Sequence, residues 1–246
     1  MTSPLGDGPP GTGTAKAWAW LAAVCVLLAY VPVWWKPELL PLLTREDGLY
    51  ENLGAGAWFA AALLFVIAAR KKPPRLHCTL AARRLNGLDL ALGFLLLLGG
   101  LEEINWGQRL LGYRTPAWLA ELNVRGETNV HNLAPLLAAG PGAARHFTVA
   151  NLVTVSWLGF CVLVPLLARL APRLRRWLAE RDFPLVPLGL SWVFVANQVL
   201  YSTLVRRVAA PWAHGVIEIE ETNLALLFST AAAAELARRA CGGPTA

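Results

Sequence analysis

The chain has 246 residues, of which 56% are hydrophobic and only 15% charged, with a mean hydropathy of +0.46 and a formal net charge of +6. About 25% charged residues is usual in a soluble domain, so this composition argues against one and for a polytopic membrane protein. The positive charge reads as a topology signal rather than a nucleic-acid footprint, because it is concentrated in loops between apolar runs.

Six windows are long and apolar enough to cross a hydrocarbon core of about 30 Å, which takes about 20 helical residues. They lie near 17–35, 51–69, 86–104, 148–169, 183–203 and 217–237. The expected fold class is all-α: a membrane helical bundle of about six spans in one domain over 17–240, with an interfacial helical segment between spans three and four. Residues 1–16, rich in Gly, Pro, Ser and Thr, read as a disordered tail. The first apolar run follows one lysine and lacks an A-x-A cleavage pattern, which favours a retained span over a secretory signal. Trp18, Trp20, Trp34 and Trp35 bracket it, as interfacial anchors do.

Orientation follows from lysine and arginine. Arg70, Lys71, Lys72, Arg75, Arg83 and Arg84 follow the second span, and Arg169, Arg173, Arg175, Arg176 and Arg181 follow the fourth. With Lys16, Arg238 and Arg239, 14 of the 22 basic residues fall on that side, which is expected to be cytoplasmic together with both termini. The expected location is a bacterial inner membrane. The opposite side takes 11 of the 16 acidic residues: Glu38, Glu46, Asp47, Glu51, Glu102, Glu103, Glu121, Glu127, Glu218, Glu220 and Glu221.

In chain order, Thr44 with Asp47 three residues later resembles a capping box opening the second span, and Glu51 falls at its outer boundary. Glu102 and Glu103 end the third span, where the helix dipole disfavours carboxylates and no Lys or Arg lies three or four residues away. They need partners from elsewhere, unless the helix end is simply solvated. Thr115-Pro116 is expected to start a short helix, with threonine as N-cap and an apolar face of Trp118, Leu119 and Leu122. If 123–132 is helical, Glu127 and His131 share a face as a metal half-site, a proton-relay couple or a plain ion pair. Leu133 to Ala139 is too short to span and reads as interfacial or re-entrant.

The fifth window carries Asn197 and Tyr201 on one face, suited to interhelical hydrogen bonds or a cavity lining, and is followed by Arg206 and Arg207. In the last, His214, Glu218 and Glu221 form one helical stripe, more acid than capping a helix requires. Cys25 and Cys161 lie in spans and Cys78 and Cys241 on the cytoplasmic side, so no structural disulfide is expected. Walker, GxSxG, CxxC and HExxH patterns are absent, and the G-x-G-x-x-G string Gly6 to Gly11 lies in the Pro-rich tail with no strand before it, which leaves nucleotide-binding, classical serine hydrolase and common zinc-protease readings without support.

The segments EDGLYE, GLEEINWGQRLLGYRTPAWLAELNVRGETNVHNL and EIEETNLALLF resemble bacterial multispanning membrane proteins that carry EEISWGQR and N-x-x-x-E-T-N-x-H-N motifs. Asn105 stands where that pattern has serine. The resemblance implies a shared membrane fold and no particular activity. A looser likeness to membrane ceramidase-type hydrolases rests on Glu51 near the start of a span, but their S-x-x-x-H and H-x-x-x-H spacings are missing.

Carboxylates and imidazoles at bilayer-surface depth suit a divalent metal (Zn, Mn or Ca) that polarises an ester, amide or phosphoryl group. A carboxylic acid among crowded carboxylates serves as a general acid without one. The expected catalytic residues are Glu102, Glu103, Glu127 and His131, and the metal ligands His131, His214, Glu218 and Glu221. Arg109, Arg206, Arg207, Trp106, Gln108, Asn197 and Tyr201 are expected to bind a lipid or lipid-linked substrate in the outer leaflet. The alternatives are an assembly protein whose ion pairs hold its helices together, and an ion-coupled transporter. The latter requires polar residues through the inner halves of the spans, where Asp89 stands nearly alone.

Overall fold

The computed structural model describes residues 12–71, 86–137 and 148–240. Regular structure among them is helical, and an isolated antiparallel bridge pairs Asn123 with Leu133. The tail 1–11, the positions of Cys78 and Cys241 and the end of the 133–139 run lie outside the described residues.

Helix α1 (Thr12–Ala29) passes into α2 (Val31–Trp35), and a 3-10 turn at Pro37–Leu39 and α3 (Leu40–Leu43) bring the chain round to α4 (Leu49–Arg70). Pro32, Pro37 and Pro41 each occupy one of the first two positions of a short piece, where the missing N–H costs nothing and the fixed φ starts a new turn. Helix α5 (Gly87–Glu103) is capped by Asn86, which accepts from the Leu88 N–H at 2.9 Å. The 3-10 turn Asn105–Gly107 and the short helices α6 (Gln108–Leu111), α7 (Ala117–Leu122) and α8 (Ala134–Leu137) follow. Helices α9 (Val149–Trp157) and α10 (Val164–Leu170) are joined by a π turn over Leu158–Leu163. Pro165 accounts for the widened turn, because it has no N–H for the carbonyl one turn back and its ring needs room. The chain closes with α11 (Pro172–Glu180), α12 (Leu188–Leu204) and α13 (Ala210–Ala240).

Three helical stretches, Gly13–Trp35, Leu49–Arg70 and Val149–Leu170, are long and apolar enough to cross a membrane. Each has 22 or 23 residues, roughly 33 Å of helix at 1.5 Å per residue. Trp20, Leu63, Leu95, Val155 and Trp192, on five different helices, each leave more than half of their surface exposed. Apolar exposure on that scale suits a hydrocarbon solvent.

Helix α4 packs against both α5 and α13. Small residues make this possible: Ala57, Ala61, Ala62, Ala68 and Ala69 are buried on α4, and Ala225, Ala231 and Ala232 on α13. Close backbone approach supplies dispersion contacts where lipid removes the hydrophobic drive between helices. At Gly93 of α5 a Cβ would lie 3.1 Å from the Ala62 carbonyl oxygen, so that crossing has no room for a side chain. A second core joins α1, α12, α13 and the π turn around Tyr30, Trp157, Phe194 and Leu227. There the Tyr30 hydroxyl (3.2 Å) and the Asn223 amide (3.1 Å) both donate to Asn197 Oδ1, linking three helices. Asn197 thus makes the interhelical bonds expected of it.

One end of the bundle is closed by ion pairs that the sequence reading did not anticipate. Arg239, in the last turn of α13, lies 2.8 Å from Asp89 in the first turn of α5, 3.1 Å from Asp182 and 2.6 Å from Glu235. Arg238 lies 2.6 Å from Glu235, and Asn86 donates to the Asp182 carbonyl at 2.9 Å. The Asp89 and Arg239 side chains are almost completely buried.

Candidate functional site

The opposite, acidic end is built on a backbone reversal. Asn105, Trp106 and Gly107 have φ of 50°, 56° and 78°, three consecutive left-handed residues of which two carry a Cβ. A non-glycine residue held there costs of order 1 kcal/mol, so the surroundings must over-determine it. The Tyr113 hydroxyl lies 3.3 Å from both the Asn105 and Trp106 carbonyls, the Trp106 indole donates to Glu102 Oε1 at 2.6 Å, and the Asn129 amide donates to Asn105 Oδ1. The reversal ends α5 and turns Gln108 and Arg109 towards the 123–133 loop.

That loop is knitted by its own asparagines. Asn123 Oδ1 accepts from the N–H groups of Arg125 (2.9 Å) and Glu127 (3.2 Å), while its amide donates to Asn129. Gly126 has φ of 67°, and the Thr128 N–H donates to Gln108 Oε1 at 2.8 Å. The segment is therefore not helical, and Glu127 and His131 do not share a helix face as expected. Glu127 instead accepts from Arg109 (3.0 Å), Asn129 (3.1 Å) and Asn132 (3.2 Å), and His131 turns to Glu102. Asn123, Asn129 and Asn132 are buried, and as uncharged residues they do not stand out in the sequence as the acids and histidines do. Their signal was the spacing within the N-x-x-x-E-T-N-x-H-N motif.

Arg109 ties this loop to the start of α4. Its guanidinium lies 3.2 Å from Glu46, 2.8 Å from Asp47, 3.8 Å from Glu51 and 3.0 Å from Glu127. Partial burial opposes its charge, but the Asp47 hydrogen bond and the surrounding carboxylates outweigh that and raise its pKa above the usual arginine value. With four carboxylates around it, Arg109 serves the fold before it can serve an anionic head group. The Thr44–Asp47 capping box does not form. Thr44 donates to the Leu40 carbonyl at 2.7 Å, α4 starts after Gly48, and Glu51 accepts from the Asp47 N–H. Thr115 likewise does not cap α7, whose N-cap is Pro116; its hydroxyl is 3.0 Å from that of Thr128.

Glu102 docks the loop onto α5. Its Oε2 accepts from the Val130 N–H (2.7 Å) and the His131 N–H (3.0 Å) and lies 3.3 Å from His131 Nδ1. A carboxylate on Nδ1 fixes the imidazole orientation and leaves Nε2, which has no protein partner among the described residues, for other work. Around this pair the carboxylates of three helices gather. Glu103 is within electrostatic reach of His131, Glu218 and Glu51, and Glu218 within reach of His214, Arg125 and His131. Glu221 is within reach of Glu103, Glu218, Glu220 and Arg125. His214 Nε2 is 3.3 Å from Glu218. Glu221 stands on α13 beside the buried Thr222 and Asn223.

Tyr201 senses Glu220 and Glu221 from α12. Arg206 and Arg207 have no carboxylate within ion-pair distance among the described residues, so Glu102 is partnered by backbone, indole and imidazole rather than by Arg206. Among the described residues no group of three or more His, Cys, Asp and Glu side chains is placed to hold a metal ion. No family model, curated protein or solved structure matches the chain.

Proposed function

We propose that the chain is a six-span membrane protein whose acidic end faces away from the cytoplasm and carries a hydrolase or transferase site for a lipid or lipid-linked substrate. For the spans, α5 and α12 at 17 residues each supply roughly 25 Å of helix, and the 31 residues of α13 supply about 46 Å. The clustering of Lys and Arg at the end that holds Arg70 and Arg239 supports cytoplasmic termini.

The observation that carries the site is the Glu102–His131 pair, with Nε2 unpartnered among the described residues and the imidazole within electrostatic reach of Glu103 and Glu218. An imidazole held this way accepts the proton of an attacking water or hydroxyl through Nε2. Glu103 in its acid form returns a proton to the leaving oxygen. Glu102 positions the base and does not touch the substrate. Among the described residues these donors do not form a three-ligand group, and the acid–base step needs none. A Zn, Mn or Ca ion on His131 with Glu103, Glu218 or Glu221 is the second form of the same reading, and elemental analysis of protein purified without chelators tests it.

The test is turnover of phospholipids and lipid-linked esters by the full chain in detergent, read by mass spectrometry, beside His131→Ala and Glu103→Gln. Loss of turnover by 100-fold or more in both variants is expected, since general acid–base groups contribute about 10²–10⁴-fold. Turnover that survives either substitution overturns the site. A second reading, an assembly module, is favoured by Arg109 and Glu102 being fully engaged within the fold. It predicts a folded protein with no turnover and with partners lost when the acidic end is altered.

A further inference from the structure

The function above leaves one charged surface unused. Helix α11 follows α10 at the cytoplasmic side of the topology proposed here, and Arg173, Arg175, Arg176 and Arg181 crowd it and its end against a single acid, Glu180. Leu178 is buried while Arg173, Arg176 and Trp177 are exposed and line a shallow recess together with Glu180. The Arg181 guanidinium stacks 4.1 Å from the Trp177 ring and donates to the Trp177 carbonyl at 3.2 Å, which presents the indole as a braced plate.

Arg173 and Arg176 have no carboxylate within ion-pair distance among the described residues, whereas Arg109, Arg238 and Arg239 are each paired. The helix gains nothing from them. Its first turn holds no acid, cations early in a helix oppose its dipole, and Arg176 precedes Glu180 in the less favourable order for an i, i+4 pair. Two free guanidiniums beside an interfacial tryptophan match a phosphodiester at head-group depth.

We infer that α11 is a docking surface for anionic glycerophospholipid of the cytoplasmic leaflet, with Arg173 and Arg176 on the phosphate and Trp177 at the glycerol level. The inference rests on the proposed orientation and is independent of the chemistry at the acidic end.

Native mass spectrometry of the full chain in detergent, titrated with phosphatidylglycerol or phosphatidylcholine, tests it. The wild-type chain should retain phosphatidylglycerol preferentially. Arg173→Gln with Arg176→Gln should weaken that retention about 30-fold, from about 1 kcal/mol or five-fold per arginine. Arg45→Gln with Arg114→Gln, both exposed at the other end of the bundle, should leave it unchanged. Equal retention of the two lipids by wild type overturns the inference, as does an equal loss in both double variants. Competition by soluble glycerol phosphate at matched concentration would overturn it too, by showing an ion site rather than a lipid surface. Should the glutamine variant fail to fold, the wild-type preference must still fall as NaCl rises from 0.1 to 0.5 M; a preference indifferent to salt removes the two arginines from the account. Failure of the lipid test leaves the turnover test at His131 intact, and the reverse holds as well.

Discussion

The two ends of the bundle both collect charge and treat it in opposite ways. At the Arg239 end, three carboxylates from α5, α13 and the turn before α12 close on two arginines, and the central pair is out of solvent. At the acidic end, Arg109 is drawn to one side by Glu46, Asp47, Glu51 and Glu127, and Glu103, Glu218, Glu220 and Glu221 are left to His131, His214 and the exposed Arg125. A cluster in which every carboxylate has an arginine in reach holds helices together. An unbalanced one, kept at a cost to the fold, is where chemistry is to be sought.

Substitutions at the two ends should separate these roles. The largest effect is expected from Arg239→Ala, which strands Asp89 without a partner in the interior. About 3–5 kcal/mol of stability should be lost, visible as a fall in melting temperature or in recovery of monodisperse protein. Asp89→Asn in the same background should restore part of it. Glu102→Gln comes next. The amide oxygen still accepts from the Val130 and His131 N–H groups, so the stability loss should stay near 1–2 kcal/mol while turnover falls far more, because the imidazole loses its orienting anion. Stability and turnover falling in proportion would make Glu102 a structural residue only.

Arg109→Ala should cost about 1 kcal/mol, since the guanidinium is 30% exposed and two of its partners lie mostly in solvent. That loss should shrink in 0.5 M salt, where the Arg239 defect should not. The smallest expected effect on stability is that of Glu221→Gln, within about 0.5 kcal/mol, because among the described residues its carboxyl makes no hydrogen bond or ion pair that the amide would lose. If Glu221→Gln instead unfolds the protein, the acidic end is as structural as the other.

Much of the frame was legible in the sequence because it rests on local rules. Apolar windows became helices, and Glu51, Glu103, Glu218 and Glu221, all assigned to the acidic side, lie within electrostatic reach of one another through Glu103. The failures came where the chain leaves local periodicity. Glu127 and His131 were read as helical neighbours, but Gly126 is left-handed and Asn123 supplies side-chain acceptors that compete with helical hydrogen bonds. The left-handed Asn105-Trp106 pair has no sequence marker except the glycine that follows it. The Asp89–Arg239 pair joins residues far apart in the chain, and no spacing rule reaches that distance.

That last pairing also orders events during synthesis. In the six-span topology proposed above, Asp89 would enter the bilayer with the third apolar helix, 150 residues before Arg239 is made. At translation rates of about 5–20 residues per second the acid waits roughly ten to thirty seconds. Under that topology α5 would be held through the interval by its small-residue contacts with α4. The final helix is the latch that commits it.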